Sequence, residues 1–245
     1  MEINLSDISS SFREAHAFRY SGHEVRDRLR PSIFQYDYLS LSTLATDVDR
    51  LLAEVPRPVG IRRAIALDIG CGKSPYREPL ESRGFVVKTM DIDNNASPDY
   101  VGSIEDTGLP NAFADLVICT QVLEHSIHPG KGLQEIYRIL RPKGHLIASA
   151  PHVWFYHPHP TDNWRFTQEG LTRLAVGAGL QPRRLLSQGG SVLAFFQIVN
   201  FLLFGIFGKH GALLYGINNV IGTGIDKTLK NTLFCINFAI LAQKP

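Results

Sequence analysis

Cysteine is scarce: Cys71, Cys119 and Cys235 stand far apart in 245 residues. That spacing builds no disulfide framework and matches no metal-ligand pattern, so a reducing, cytoplasmic setting is expected. Charge of one sign is also lacking. The net charge of +2 gives no case for nucleic-acid binding. Asp7, Arg13 and Glu14 stand where an early apolar run would be, so no secretory signal is expected. The sequence holds no internal repeat and no low-complexity stretch. A long apolar span is missing as well. Residues 192–207 carry no charge, but the run is short and interrupted by Gln197 and Asn200. What is present is enough chain for one α/β domain with additions.

The most informative segment is residues 64–75. A short apolar run leads to Asp68, which closes a strand; Gly70 and Gly72 then let the backbone turn sharply and approach a ligand. Nucleotide-type ligands bind at such strand-to-helix turns in open parallel sheets. Spacing separates the candidates. Gly72-Lys73-Ser74 looks like the tail of a phosphate-binding loop, but Leu67 occupies the place of its first glycine. A dinucleotide fingerprint needs a third glycine where Pro75 stands. An acidic strand end followed by Gly-x-Gly remains. A second strand, residues 85–93, ends in Asp91 and Asp93. Asp91 lies at the strand tip about twenty residues past the glycines, the place of a ribose-binding carboxylate. One carboxylate can accept both hydroxyls of a vicinal diol.

Further along, residues 102–110 precede an apolar strand, residues 115–119, that runs into Val122-Leu123-Glu124-His125. A helix, an Arg141-Pro142-Lys143-Gly144 turn and another strand follow. In this order the motifs resemble the class I S-adenosylmethionine-dependent methyltransferases of the small-molecule branch, over roughly residues 60–188 and again at the C-terminus. The resemblance implies S-adenosylmethionine as cofactor. Asp68, Gly70, Cys71 and Gly72 would hold its methionine part, and Asp91 with Ile92 its ribose. Ser103, Ile104 and Glu105 would flank adenine, and Cys119, Thr120 and Gln121 would floor the pocket. Where the family commonly has an aspartate, this chain has Ser103, with carboxylates displaced to Glu105 and Asp106.

The alternation of strands and helices over residues 64–185 indicates a parallel sheet. With the resemblance, the expected fold is α/β: a Rossmann-like, doubly wound, mostly parallel seven-stranded sheet with its last strand, near residues 234–242, antiparallel. Residues 1–59 form an N-terminal helical cap, with a helix start at Ser6-Asp7 and a helix over residues 39–55. The methyltransferase domain fills residues 60–245.

Two regions exceed a minimal domain. Residues 150–167 crowd His152, His157, His159, Asp162, Trp154, Trp164 and Arg165 at the carboxyl edge of the sheet, where a substrate pocket is built from aromatic walls and a few polar groups. His157 and His159 are the candidate general bases, with Asp162 orienting one of them. The plain alternative is that Asp162 caps a turn, Trp164 and Phe166 plug the sheet edge, and Arg165 pairs with a local carboxylate. His157-Pro158-His159 is awkward for one ligand face, so no metal is expected. Residues 191–232 form the second region, an apolar helical insertion flanked by Lys209, His210, Lys227 and Lys230. It suits a helical hairpin on the inner face of a membrane, a dimer face, or a hydrophobic lid. The expected reaction is methyl transfer, on oxygen, to a small molecule or a glycan or lipid-linked acceptor. The alternatives are an N-methyltransferase acting on an amino sugar and a non-catalytic cofactor-binding scaffold.

Overall fold

Alternation along the central strands decides the architecture. Leu67, Ile69, Val117, Cys119, Leu146 and Ala148 face one side, while Ala66, Leu116, Ile118 and Ile147 face the other. Both sets are buried, so the sheet needs helices on both faces. The computed structural model describes residues 28–59, 63–158, 160–229, 231–232 and 234–245. Ser6-Asp7, His159 and Lys230 fall outside them.

In chain order the elements are α1 (Tyr38–Glu54), β1 (Ile65–Ile69), α2 (Arg77–Glu81), β2 (Val86–Asp91), β3 (Tyr100–Val101), β4 (Ala114–Thr120) and α3 (Pro129–Ile139). Then come β5 (Leu140–Pro151), α4 (Gln168–Gly177), β6 (Gln181–Gln188), α5 (Ser191–Phe207), α6 (Ala212–Asp226) and β7 (Asn237–Gln243). They form one seven-stranded sheet in the order β3-β2-β1-β4-β5-β7-β6. The strands from β3 to β5 are parallel, and β7 runs antiparallel between β5 and β6. This is the expected mostly parallel sheet with an antiparallel last strand, although β7 begins at Asn237 rather than at residue 234.

Leu133, Ile136 and Ile139 of α3 and Leu171 and Ala175 of α4 cover one face. Leu44, Val48, Leu51 and Leu52 of α1 and Leu80 of α2 cover the other. Local signals set the helix starts: Pro129 opens α3, and the Thr167 hydroxyl accepts the Gly170 N–H at 3.0 Å to cap α4.

Helices α5 and α6, joined by a short 3₁₀ turn (Gly208–Gly211), fold back on each other. Their inner surfaces set a seam of buried amides beside apolar Leu193, Ala194 and Tyr215. The Asn200 amide donates to Asn219 at 2.8 Å and accepts from Asn218 at 2.8 Å. Gln197 donates to the Tyr36 carbonyl, and Asn219 to the carbonyls of Ile33 and Gln35. These amides are buried and satisfied, and they tie the hairpin to the segment leading into α1.

Candidate active site

The carboxyl ends of β1, β2, β4 and β5 meet at one edge of the sheet, where this topology places its ligands. After β1 the N–H groups of Gly70 and Cys71 both donate to the Met90 carbonyl, at 2.8 and 3.1 Å, which ties the turn to β2. Gly70 has φ +68°, and a Cβ there would stand 2.2 Å from Val122 Cγ2, so only glycine fits. Gly72 has φ +48° but open space around it, so its requirement is conformational alone. The Gly72 N–H donates to Asp91 Oδ2 at 2.8 Å, and the Asp93 N–H to Asp91 Oδ1 at 3.0 Å. Asp91 thus fixes the glycine turn and still has lone pairs for a ligand.

A cavity of about 400 Å³ opens here, within the usual range for a small-molecule site. Gly70, Asp91, Ile92, Ser103, Ile104, Glu105 and Gln121 line it, together with Val122, His125, Ser126 and Thr161. The remaining predicted residues stand back from it. Cys119 is fully buried, and the Thr120 hydroxyl reaches Tyr76 Oη at 3.3 Å, so Gln121 and Val122 form that wall instead. Cys71 and Gly72 belong to the turn itself and do not line the cavity. Glu105 lines the cavity, but its carboxylate accepts the His128 N–H at 3.0 Å and the Ser126 hydroxyl at 2.7 Å, and these bonds hold its pKa below the usual value. It clamps two loops together.

Asp68 is 1% exposed, and its Oδ2 has no hydrogen-bond partner. Burial pushes its pKa up to about 7; Arg28 and Arg77 oppose the rise and Asp91 adds to it. A buried carboxylate beside a glycine cradle suits a ligand that brings positive charge.

A second cavity, of about 230 Å³, lies between α1 and the loop after β5. Ser40, Leu41 and Leu44 of α1 face Arg28, Trp154, His157, Gln121 and His125. Gln121 and His125 line both cavities. Gln121 has φ +56°, unusual for a non-glycine residue, and is held by its N–H to the Ser149 carbonyl at 2.9 Å.

The loop after β5 folds back over the turn after β4. Asn163 donates its backbone N–H to the Glu124 carbonyl at 2.8 Å, and the Trp164 indole donates to the Ser126 carbonyl at 2.9 Å. This brings His157 against His125, with ring centroids 5.1 Å apart. Burial raises the Asp162 pKa, but bonds from Arg165 (2.5 and 2.8 Å) and His157 outweigh burial and hold it well below the carboxylate range. The His157 Nδ1 lies 3.2 Å from Asp162 Oδ2 and 3.1 Å from the Phe155 carbonyl. In the neutral ring these two acceptors favour the proton on Nδ1, which leaves the lone pair on Nε2. His125 is arranged alike, its Nδ1 against the Thr161 carbonyl, and its pKa is lowered chiefly by burial. Asp162 also accepts the His157 N–H at 2.9 Å, Arg165 pairs with it, and Phe166 is buried in the core. Trp164 is 44% exposed rather than plugging the sheet edge.

Glu124 went unnoticed in the sequence beyond its place in a strand ending. It is fully buried, neither carboxyl oxygen has a hydrogen-bond partner, and burial pushes its pKa up to about 8. The donor atoms of Glu124, His125 and His157 lie within 4.8 Å of one another, a set able to hold a divalent cation; the guanidinium charges of Arg28 and Arg165 act on the same carboxylate and oppose that use. Sequence spacing gave no sign of this group, because His157 and Glu124 meet only through the folded-back loop.

Residues 67–148 match the family model described as a methyltransferase domain. Over 100 residues the chain is 33% identical to the mitochondrial ubiquinone biosynthesis O-methyltransferase of Schizosaccharomyces pombe, covering 34% of this chain and 36% of that protein. The chain spans little more than a third of the length of the curated relatives it matches. Among solved structures, it is similar to a putative sarcosine dimethylglycine methyltransferase from Galdieria sulphuraria (TM-score 0.58, 15% identity, 97% of this chain and 98% of that one). Phosphoethanolamine N-methyltransferase 2 of Haemonchus contortus, in complex with S-adenosyl-L-methionine, gives a TM-score of 0.55 at 16% identity, over 93% of this chain and 61% of that one. At such identities these structures share the fold alone.

Proposed function

We propose, from the premise that residues 67–148 are a class I S-adenosylmethionine-dependent methyltransferase domain, that this chain methylates a hydroxyl of a small molecule seated between α1 and the loop after β5. The observation that carries the reading is the pair of cavities sharing Gln121 and His125. A donor in one and an acceptor in the other meet across that shared wall.

The larger cavity fits S-adenosylmethionine, which supplies an electrophilic methyl group on a sulfonium. Gly70 leaves room for close backbone approach, Asp91 offers lone pairs to a ribose diol, and Ile104 offers an apolar flank for adenine. The unpaired Asp68 oxygen stands behind the turn as a counter-charge for the methionine end.

Methyl transfer is an in-line displacement. The acceptor oxygen forms a bond to the methyl carbon as the carbon–sulfur bond breaks, and the acceptor proton must leave. His157 is placed to take that proton at Nε2, with Asp162 and the Phe155 carbonyl holding its Nδ1–H. Asp162 is a positioning residue, itself fixed by Arg165. The curated O-methyltransferase relatives support an oxygen acceptor.

Calorimetric titration tests the premise. S-adenosylmethionine and its demethylated product should bind at micromolar levels, and NADH and ATP far more weakly. Tight NADH binding with no response to S-adenosylmethionine would sink the reading. Once an acceptor is turned over, His157→Ala should lower kcat about 10²–10⁴-fold and leave cofactor affinity intact. Unchanged kcat would remove His157 from the chemistry.

A further inference from the structure

We propose that the outer face of the α5–α6 hairpin docks on an anionic lipid surface. On the function proposed above, the acceptor is then a molecule resident in that surface. The hairpin keeps its amides inside, beside Leu193, Ala194 and Tyr215, and presents an almost wholly apolar outer face. Its amides Gln197, Asn200, Asn218 and Asn219 point inward and are satisfied there. Outward, Phe195, Leu202 and Ile206 of α5 and Leu213, Ile217 and Val220 of α6 are each more than half exposed. Within each helix these positions recur at helical spacing, so they form two parallel stripes. The most apolar stretch of residues 191–226 averages a hydropathy of 2.0, yet only 22% of it is buried.

Charge selects the occupant. The hairpin carries one carboxylate, the partly buried Asp226 at the end of α6, while Lys209 and Lys227 stand exposed at the two ends of that helix. A second copy in a two-fold pairing would bring the same two exposed lysines with only the partly buried Asp226 of each chain to meet them. Anionic headgroups meet both the lysines and the apolar stripe. Geometry selects the pose. At 17 residues α5 is about 25 Å long, short of the hydrocarbon core of about 30 Å. It is bonded to the protein body along its inner side, so it rests along the surface rather than crossing it. Phe201 of α5 packs on Trp154 and Phe155, with ring centroids 4.9 and 4.5 Å apart, and Trp154 lines the smaller cavity. The docked face and the acceptor cavity are therefore neighbours.

Flotation of the full chain with vesicles of phosphatidylcholine alone, and of phosphatidylcholine mixed with phosphatidylglycerol, tests this. The chain should float with the anionic vesicles and much less with the neutral ones. The double variant Leu202→Ser/Ile217→Ser should lose about tenfold in anionic-vesicle binding while its circular dichroism and S-adenosylmethionine affinity stay as in the parent. Lys209→Gln/Lys227→Gln should narrow the difference between the two vesicle types. A parent chain that stays soluble with both vesicle types overturns the proposal, and so does a serine variant that floats as well as the parent. If the soluble parent is a dimer that the serine variant disperses, the face is a self-interface instead. Flotation without any response to S-adenosylmethionine leaves this docking surface standing and overturns only the methyltransferase reading.

Discussion

At the scale of single residues, the carboxylates divide by what their oxygens already do. Asp91 lines the larger cavity and holds the Gly72 N–H, whereas Asp93 spends an oxygen on Asn95, at 2.9 Å from its N–H. Asp91→Ala should weaken S-adenosylmethionine binding by about 1.5–3 kcal/mol, the range for a hydrogen bond to a charged group. Asp93→Ala should do much less; calorimetric titration compares them, and reversed effects would place the ribose elsewhere. Asp68 makes a different prediction. Its folded pKa of about 7 lies above the usual 3.8, so the folded chain holds a proton that the unfolded chain has released between those values. Its contribution to stability is full below the unfolded pKa and declines as pH rises through 7. Through Asp68 the melting temperature of the ligand-free chain should fall between pH 5 and pH 8. His125 and His145 pull the opposite way, since their lowered pKa values favour the folded chain as pH rises toward 6.5. Glu124, at about 8, acts in the same direction as Asp68, so Asp68→Asn should remove part of the fall. An undiminished fall in that variant would clear Asp68 of the effect. Asp68, Gly70 and Asp91 were legible in the sequence because a strand-turn-helix unit fixes their spacing locally. His125 was legible as a structural residue or a pocket wall, and it lines both cavities; Glu124 was not, since its neighbour His157 reaches it through tertiary folding.

At the scale of elements, the glycine turn and the helical hairpin each rest on a few atoms. Gly70→Ala meets both a left-handed φ and the Val122 side chain, and should cost about 1–3 kcal/mol of stability together with most cofactor affinity. Gly72→Ala meets φ alone and should cost about 1–2 kcal/mol. Denaturant titration separates them, and equal effects would show that the Val122 contact relaxes freely. In the hairpin, Asn200→Ala removes the donor to Asn219 and an acceptor of Asn218 inside a buried seam. Each orphaned amide costs about 1–3 kcal/mol. Hydrogen exchange should then quicken across α5 and α6 while β1 and β4 stay protected; unchanged exchange would mean that water repairs the seam. The apolar spacing of α1 and the uncharged run of α5 were plain from the sequence. That the hairpin's polar residues form its inside was not, because Gln197 and Asn200 read locally as interruptions of an apolar helix.

At the scale of the molecule, the parallel sheet was legible from the alternation of elements, and its seven strands with an antiparallel last one from the family resemblance that the order of the motifs carries. The two cavities sharing one wall were not, since α1 and the loop after β5 meet only when the sheet is assembled. Consider, finally, the order in which the chain is made. The strand β7 is the last of the elements to be synthesised, yet it sits between β5 and β6. Until residues 237–243 exist, β6 has no strand to pair with and β5 has one open edge. The hairpin, made earlier, waits meanwhile with its outer stripe bare. A nascent chain therefore carries an unpaired strand edge and an apolar helix pair together, the combination that favours misassociation. The same topology makes completion of the sheet a non-local closure, which is slow. Whatever shelters the hairpin, in the cell or in a refolding buffer, acts first as a guard on assembly and only afterwards as a place of work.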